Sequence, residues 1–169
     1  MHNPNMGSAQ SVVVLWLTPS EPACTFFREM IRRLAAAHDG PIFEPHLTLG
    51  LGSVAQLEQV NAAAIELPII SLDSTAKFTK TLFVRFSLTP ALAEFRQSLG
   101  MPAAGFDPHL SLLYQKMPAV TKRELVVSSI TVPFATVSFT SIQAVRCPPE
   151  TGTAADVEVW KIIATKALA

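Results

Sequence analysis

A seven-residue phrase occurs twice in this chain, as Phe43-Glu44-Pro45-His46-Leu47-Thr48-Leu49 and as Phe106-Asp107-Pro108-His109-Leu110-Ser111-Leu112. Five positions are identical, and the other two exchange Glu for Asp and Thr for Ser, so a carboxylate and a hydroxyl are kept along with the histidine. The two histidines lie 63 residues apart in a chain of 169. That offset is roughly half of the chain without its ends. It constrains the fold to two similar lobes, each bringing one copy to a shared place.

Strand geometry decides what each copy presents. Side chains of an extended segment alternate between faces. His46 and Thr48 therefore point one way and Leu47 and Leu49 the other, and His109 and Ser111 separate from Leu110 and Leu112 in the same manner. The proline before each histidine suits the first residue of a strand, where no ladder donor is needed. Both strands are expected to begin at the site, with an imidazole and a hydroxyl on one face and a leucine anchor on the other.

Two imidazoles and two hydroxyls facing one another suit phosphoryl hydrolysis without a metal. Histidine titrates near pH ~6.5 when unperturbed, so near neutrality one ring serves as base while the other, protonated, serves as acid. Thr48 and Ser111, two residues along from each ring, are placed to donate hydrogen bonds to non-bridging oxygens where charge accumulates. Structural histidines alone would leave the shared flanking residues without a reason. A catalytic zinc usually takes three protein ligands, and no Cys or third His lies at ligand spacing here. A Ser111 nucleophile would lack the Gly-x-Ser-x-Gly turn. The run Gly50-Leu51-Gly52-Ser53-Val54-Ala55, with Asp73 downstream, matches a dinucleotide fingerprint. A strand carrying His46 and Thr48 is a poor first strand for such a fold, because a parallel strand covered on both faces reads as a continuous apolar run. Neither metal nor cofactor is expected.

The doubled His-x-Thr/Ser-x phrase resembles the signature of the two-histidine (2H) phosphoesterase superfamily. The surrounding text is most similar to its cyclic phosphodiesterase branch, through Phe43 to Thr48, Pro108-His109-Leu110-Ser111-Leu112-Leu113-Tyr114, Trp16 on a first strand, and Val159-Trp160-Lys161-Ile162-Ile163-Ala164 near the end. The resemblance spans about residues 11 to 166. It implies a bilobal α+β fold of two mainly antiparallel sheets with outer helices, the pseudo-twofold lobes facing a central cleft. Counting alternating strands and helices would by itself favour a parallel sheet. The resemblance also implies hydrolysis of a ribose cyclic phosphodiester, such as ADP-ribose 1″,2″-cyclic phosphate or a nucleoside 2′,3′-cyclic phosphate, to a phosphomonoester. One His would act on the attacking water and the other on the leaving oxygen.

Further contacts are candidates. Tyr114 matches a tyrosine that contacts the ligand in that branch, although simple parity puts it opposite His109, so the role requires the strand to bend or end before it. Trp16 and Phe83 could offer a stacking face to a base, and Lys80 a charge to phosphate. Two rivals stand beside this reading. One is an RNA-end 2′,3′-cyclic phosphodiesterase or 2′-5′ RNA ligase-like enzyme, which should carry basic grooves. The other is a non-catalytic nucleotide-binding module, against which the intact histidines and hydroxyls of both copies weigh.

Composition bounds these choices. With 49% hydrophobic residues the chain can bury a proper core, and residues 11–169 are expected to form a single bilobal domain behind a loose tail, residues 1–10. Lysine plus arginine equals aspartate plus glutamate at 13 each, so no global positive field exists for a long nucleic acid. The expected partner is a small cyclic-phosphate nucleotide bound by a monomer. Two cysteines at no framework spacing, and no segment fit for a membrane span, point to the cytoplasm. Periodicity places strands at 11–17, 46–51, 68–78, 81–88, 109–114, 131–145 and 156–165. It places helices at 20–38, 53–66, 90–99 and 120–128, and a loop at 148–155. The first helix is expected to carry Ser20 as cap, a stripe of Phe27, Ile31 and Leu34, and Gly40 as terminator.

Overall fold

The computed structural model describes residues 10–127 and 130–169. All but one residue of the expected tail, and the last residue of the helix placed at 120–128, lie outside them. Seven strands are present: β1 (Val12–Pro19), β2 (Leu47–Leu51), β3 (Ile65–Ser74), β4 (Leu82–Phe86), β5 (His109–Leu113), β6 (Thr136–Cys147) and β7 (Lys161–Ala167). The helices are α1 (Ala23–His38), α2 (Val54–Gln59), α3 (Pro90–Ser98), α4 (Ala119–Val127) and α5 (Ala154–Glu158). Every strand pairing is antiparallel, in the order β1-β2-β5-β4-β3-β6-β7. This is the α+β architecture that the family resemblance implies, and the parallel sheet favoured by counting alternating elements is excluded.

The two expected sheets are joined on both sides. One half comprises β2, β1, β6 and β7, the other β5, β4 and β3. The long β6 pairs with β3 through Thr136 to Phe139 and with β1 through Phe139 to Cys147, which closes a ring of six strands. The remaining seam is the meeting of the two phrases, where Leu47 pairs with Leu110.

Local sequence accounts for most elements. α1 buries Phe27, Ile31 and Leu34 together with Ala23, Met30 and Ala35, a helical stripe packed along β5. Burial of each large side chain stabilises by roughly 1.5–3 kcal/mol relative to exposure. The helix starts three residues later than expected, with Pro22 at its N-cap and no capping hydroxyl, and the Glu21 carboxylate accepts from Thr25 N–H in its first turn. Asp39, not Gly40, takes the left-handed turn at its end, at φ 52°. Thr89 caps α3 from its side chain, and Pro90 opens it. α2 stops at Gln59, because Ile65 and Leu67 are recruited into β3 opposite Phe139 and Val137. The expected last strand is also corrected. Thr153 and Asp156 form a capping box that turns 154–158 into α5, so β7 begins only at Lys161.

The Gly50–Ala55 run is a turn out of a strand. β2 lies antiparallel to β1, and a Cβ on Gly52 would stand 2.6 Å from Leu15. No helix among the described residues is long and apolar enough to cross a membrane.

Candidate active site

The Leu47–Leu110 pair is the hinge of the site's symmetry. Continuing that antiparallel register by one residue each way puts His46 across from Ser111 and Thr48 across from His109. Directly opposed residues have Cβ atoms about 4.5–5.5 Å apart. Both histidines and both hydroxyls thus share one face at the centre of the ring, related by a pseudo-twofold axis through the leucine pair. All four line one cavity of about 700 Å³.

The symmetry extends to details absent from any single copy. His46 Nδ1–H donates to the Glu44 carbonyl at 2.7 Å, and His109 Nδ1–H donates to the Asp107 carbonyl at 2.8 Å. A carbonyl only accepts, so each neutral ring carries its proton on Nδ1 and leaves Nε2 free for chemistry. The register slips at the equivalent place where each phrase strand meets its neighbour, leaving Leu49 of β2 and Leu112 of β5 as the extra residue. Both are the seventh residue of the phrase. Bulges of this kind re-aim side chains beside active sites.

The second bulge resolves the position of Tyr114. One extra residue reverses the alternation, and β5 ends at Leu113, so Tyr114 lines the cavity beside Ser111. It is buried, stacked on Phe43 at 3.9 Å between ring centroids, and burial pushes its phenol up, so it remains a donor.

Trp16 and Phe83 occupy equivalent places. Trp16 pairs with Thr48 across β1 and β2, and Phe83 pairs with Ser111 across β4 and β5. Neither is an open stacking platform for a base. Trp16 lies parallel against His46 at 3.6 Å, and Phe83 is fully buried edge-on to His109 at 5.4 Å, roofed by Lys80 Nζ at 4.8 Å and by the Arg85 guanidinium at 5.1 Å. They support the imidazoles. Lys80 lines the cavity as expected, but its Nζ donates to Asp107 at 2.6 Å, so its charge is already shared.

The periodicity reading missed Trp160. It lines the cavity at the end of α5 and sits edge-on to Trp16, His46 and Tyr114, with its Nε1–H donating to Thr151 Oγ1. Lys77, Thr79 and Glu150 also line the cavity. The signal for Trp160 lay in the closing run of the family resemblance, where it was a marker and not a site residue.

The two halves differ electrostatically. His46, only 5% exposed and walled by aromatic rings, is pushed down to about 4 by burial, which the bond to the Glu44 carbonyl opposes and the nearby His109 reinforces. His109 is lowered by burial too, against its bond to the Asp107 carbonyl, and it is half-exposed among Lys77, Lys80 and Asp107. Asp107 is held down at about 2, chiefly by its bonds to Arg85. Ser111 is buried and donates to the Thr79 carbonyl at 2.7 Å, whereas Thr48 is exposed to the cavity. Among the described residues no three His, Cys, Asp or Glu side chains come together as a metal site.

No protein-family model matches the sequence, and no curated protein matches it. Solved structures do. The chain resembles E. coli LigT complexed with 3′-AMP at a TM-score of 0.56 and 17% identity, over 94% of this chain and 98% of that one. It resembles E. coli LigT complexed with NADP+ at 0.54 and 16%, over 94% and 98%. A structure described as a phosphoesterase matches at 0.53 and 16%, again over 94% and 98%. The chain therefore has the fold of LigT and of that phosphoesterase, the architecture implied by its resemblance to the two-histidine phosphoesterases.

Proposed function

We propose that this protein is a 2H-type cyclic phosphodiesterase that opens a small ribose cyclic phosphodiester, such as ADP-ribose 1″,2″-cyclic phosphate or a nucleoside 2′,3′-cyclic phosphate, without a metal. The observation that carries this reading is the paired tautomer. Two imidazoles, each fixed by a bond from Nδ1 to the carbonyl two residues back, face one cavity from strands related by a pseudo-twofold axis. The fold shared with LigT, a protein crystallised with 3′-AMP and with NADP+, supports a nucleotide in that cavity.

The asymmetry supports an assignment of roles. When the pair holds one proton, the more exposed His109, beside Asp107, takes it, and the deeper His46 stays neutral. His46 Nε2 then accepts a proton from water as the water oxygen attacks phosphorus in line. His109 Nε2 gives its proton to the ribose oxygen as the phosphorus–oxygen bond breaks. Thr48, open to the cavity, donates to a non-bridging oxygen where charge accumulates, and Ser111 does so once its proton turns from the Thr79 carbonyl to the phosphate. The reading takes the protein as a monomer acting on one small molecule in the cytoplasm.

The test is product analysis on cyclic phosphates with and without chelator. Full turnover is expected in excess EDTA; activity lost under EDTA and restored by a divalent metal would defeat the mechanism.

Two further results are expected. Because burial lowers both histidines, the form with one neutral and one protonated ring is most populated on the acid side of pH ~6.5. The profile of kcat/KM should therefore be bell-shaped with an acidic maximum, and a maximum above pH 8 would contradict the pairing. Thr48→Ala and Ser111→Ala should each lower kcat by about 10- to 10³-fold, up to the scale of one lost oxyanion donor, with Thr48→Ser mild. A phosphoseryl intermediate trapped at Ser111 would instead make that hydroxyl the nucleophile.

A further inference from the structure

The two lobes hold equivalent rings by different means. His46 is wedged between Trp16, Trp160 and Phe43. Its carbonyl partner Glu44 has an exposed side chain, paired with Arg28 at 3.0 Å. His109 has fewer aromatic neighbours, and its carbonyl partner Asp107 is tied down by two cations. Arg85 Nε donates to Asp107 Oδ1 at 2.8 Å, Arg85 Nη2 to Oδ2 at 3.1 Å, and Lys80 Nζ to Oδ2 at 2.6 Å. The other arm of Arg85 donates to Asp73 Oδ2 at 2.5 Å, an oxygen that also accepts from Ser71 Oγ.

Arg85 is placed for this by the sheet. It pairs directly with His109 across β4 and β5, and its guanidinium lies over Phe83, the ring that is edge-on to His109. The pseudo-twofold puts Thr18 at the matching place in the other lobe, where it bonds Ser141 instead. Arg28 reaches only one oxygen of the exposed Glu44, so the fork that holds both carboxylate oxygens belongs to the second phrase.

We propose that Arg85 and Asp107 are positioning residues for His109: the guanidinium fork clamps the Asp107 carboxylate, and the clamped residue aims its main-chain carbonyl at His109 Nδ1. This rests on reading His109 as half of the acid–base pair. A bidentate Arg–carboxylate pair fixes orientation as well as charge, which a lysine cannot reproduce. By spanning Asp73 on β3 and Asp107 at the entry of β5, the clamp sets where β5 begins.

Four charged groups and one neutral ring face His109: Lys77 and Lys80 from the 3-10 turn at Phe78–Lys80 and its entry, Arg85 from β4, Asp107 from its own lead-in, and the His46 imidazole across the seam. They make the test specific. Asp107→Asn removes the one anion and leaves the cations uncompensated, so the His109 pKa should fall. Arg85→Gln leaves Asp107 less neutralised, so it should rise. Both variants should lower kcat by about 10- to 10²-fold, the scale of a small misplacement of a catalytic group, with KM within about threefold. Arg85→Lys should restore the pKa and not kcat. Nitrogen NMR of His109 should show a fixed Nδ1–H tautomer in the wild type and a mixture in Asp107→Asn and Arg85→Gln.

Wild-type kcat in folded Asp107→Asn and Arg85→Gln would overturn the proposal. So would a rise in KM alone, which would make them substrate contacts. Variants that fail to fold would overturn it as well, by making the pair a support of the sheet. A wild type that opens no cyclic phosphodiester would sink the functional reading only, since the NMR titration reports the clamp without turnover.

Discussion

Alanine at His46 or at His109 is expected to reduce kcat by about 10³-fold or more, and the double variant is expected to be little worse than the poorer single one. General acid or base catalysis contributes roughly 10²- to 10⁴-fold per group. Here the two groups serve one event, with one proton leaving water as another reaches the departing oxygen. Residues that act as a unit are strongly non-additive, because removing either stops the step both share. The geometry makes His109→Ala the decisive variant. His46 is enclosed by Trp16 and Trp160, so its loss also disturbs packing, whereas His109 is half-exposed and its removal leaves the β4–β5 ladder intact. Near-normal turnover in folded His109→Ala would reduce the second phrase to a structural echo of the first. Multiplicative losses in the double variant would show two rings acting in separate steps.

The four central residues were legible because the chemistry was written twice, and period-2 alternation within five residues sufficed to put each imidazole with its hydroxyl. The core stripe of α1 was legible for the same reason, since Phe27, Ile31 and Leu34 follow the helical period. What failed lay beyond the range of either period. The slips at Leu49 and Leu112 reverse the alternation, so parity put Tyr114 on the wrong side, and only cross-strand register shows where a residue is extra. Phe83 and Trp16 were legible as strand aromatics, but whether a ring faces a ligand or underlies a histidine depends on which strand lies next to it. β4 and β5 are consecutive strands, but they pair across a connection that carries α3, and their register is written in neither strand alone. The closing of the ring through both edges of β6 is a long-range fact. α5 was a different failure. Thr153 and Asp156 carried a readable cap, and the prolines before them drew the segment into a loop.

Folding stability is expected to fall as the pH drops from about 6.5 toward 4, and His46 is expected to carry much of the loss. Its ring is held down at about 4 in the folded protein, while the unfolded chain binds the same proton near 6.5. Between those values the unfolded state binds more protons, so stability rises with pH across the window and is fully present above it. The span corresponds to an upper limit of about 3 kcal/mol, on the order of 300-fold in the folded-to-unfolded ratio. His109 is lowered in the same direction and adds to the loss. Asp107 acts in a separate window: its carboxylate, held at about 2, loses its contribution only as the pH falls below the ordinary aspartate range. The measurement is urea denaturation of wild type and His46→Phe from pH 7.5 to pH 4.5. Phenylalanine keeps an aromatic face against Trp16 and cannot titrate, so the variant should lose stability at neutral pH through the missing bond to Glu44 and then show a shallower fall. The two curves should converge on the acid side. Parallel curves would mean that the His46 ring takes up its proton in the folded state as easily as in the unfolded one, and the neutral base assigned to it would have no basis in burial.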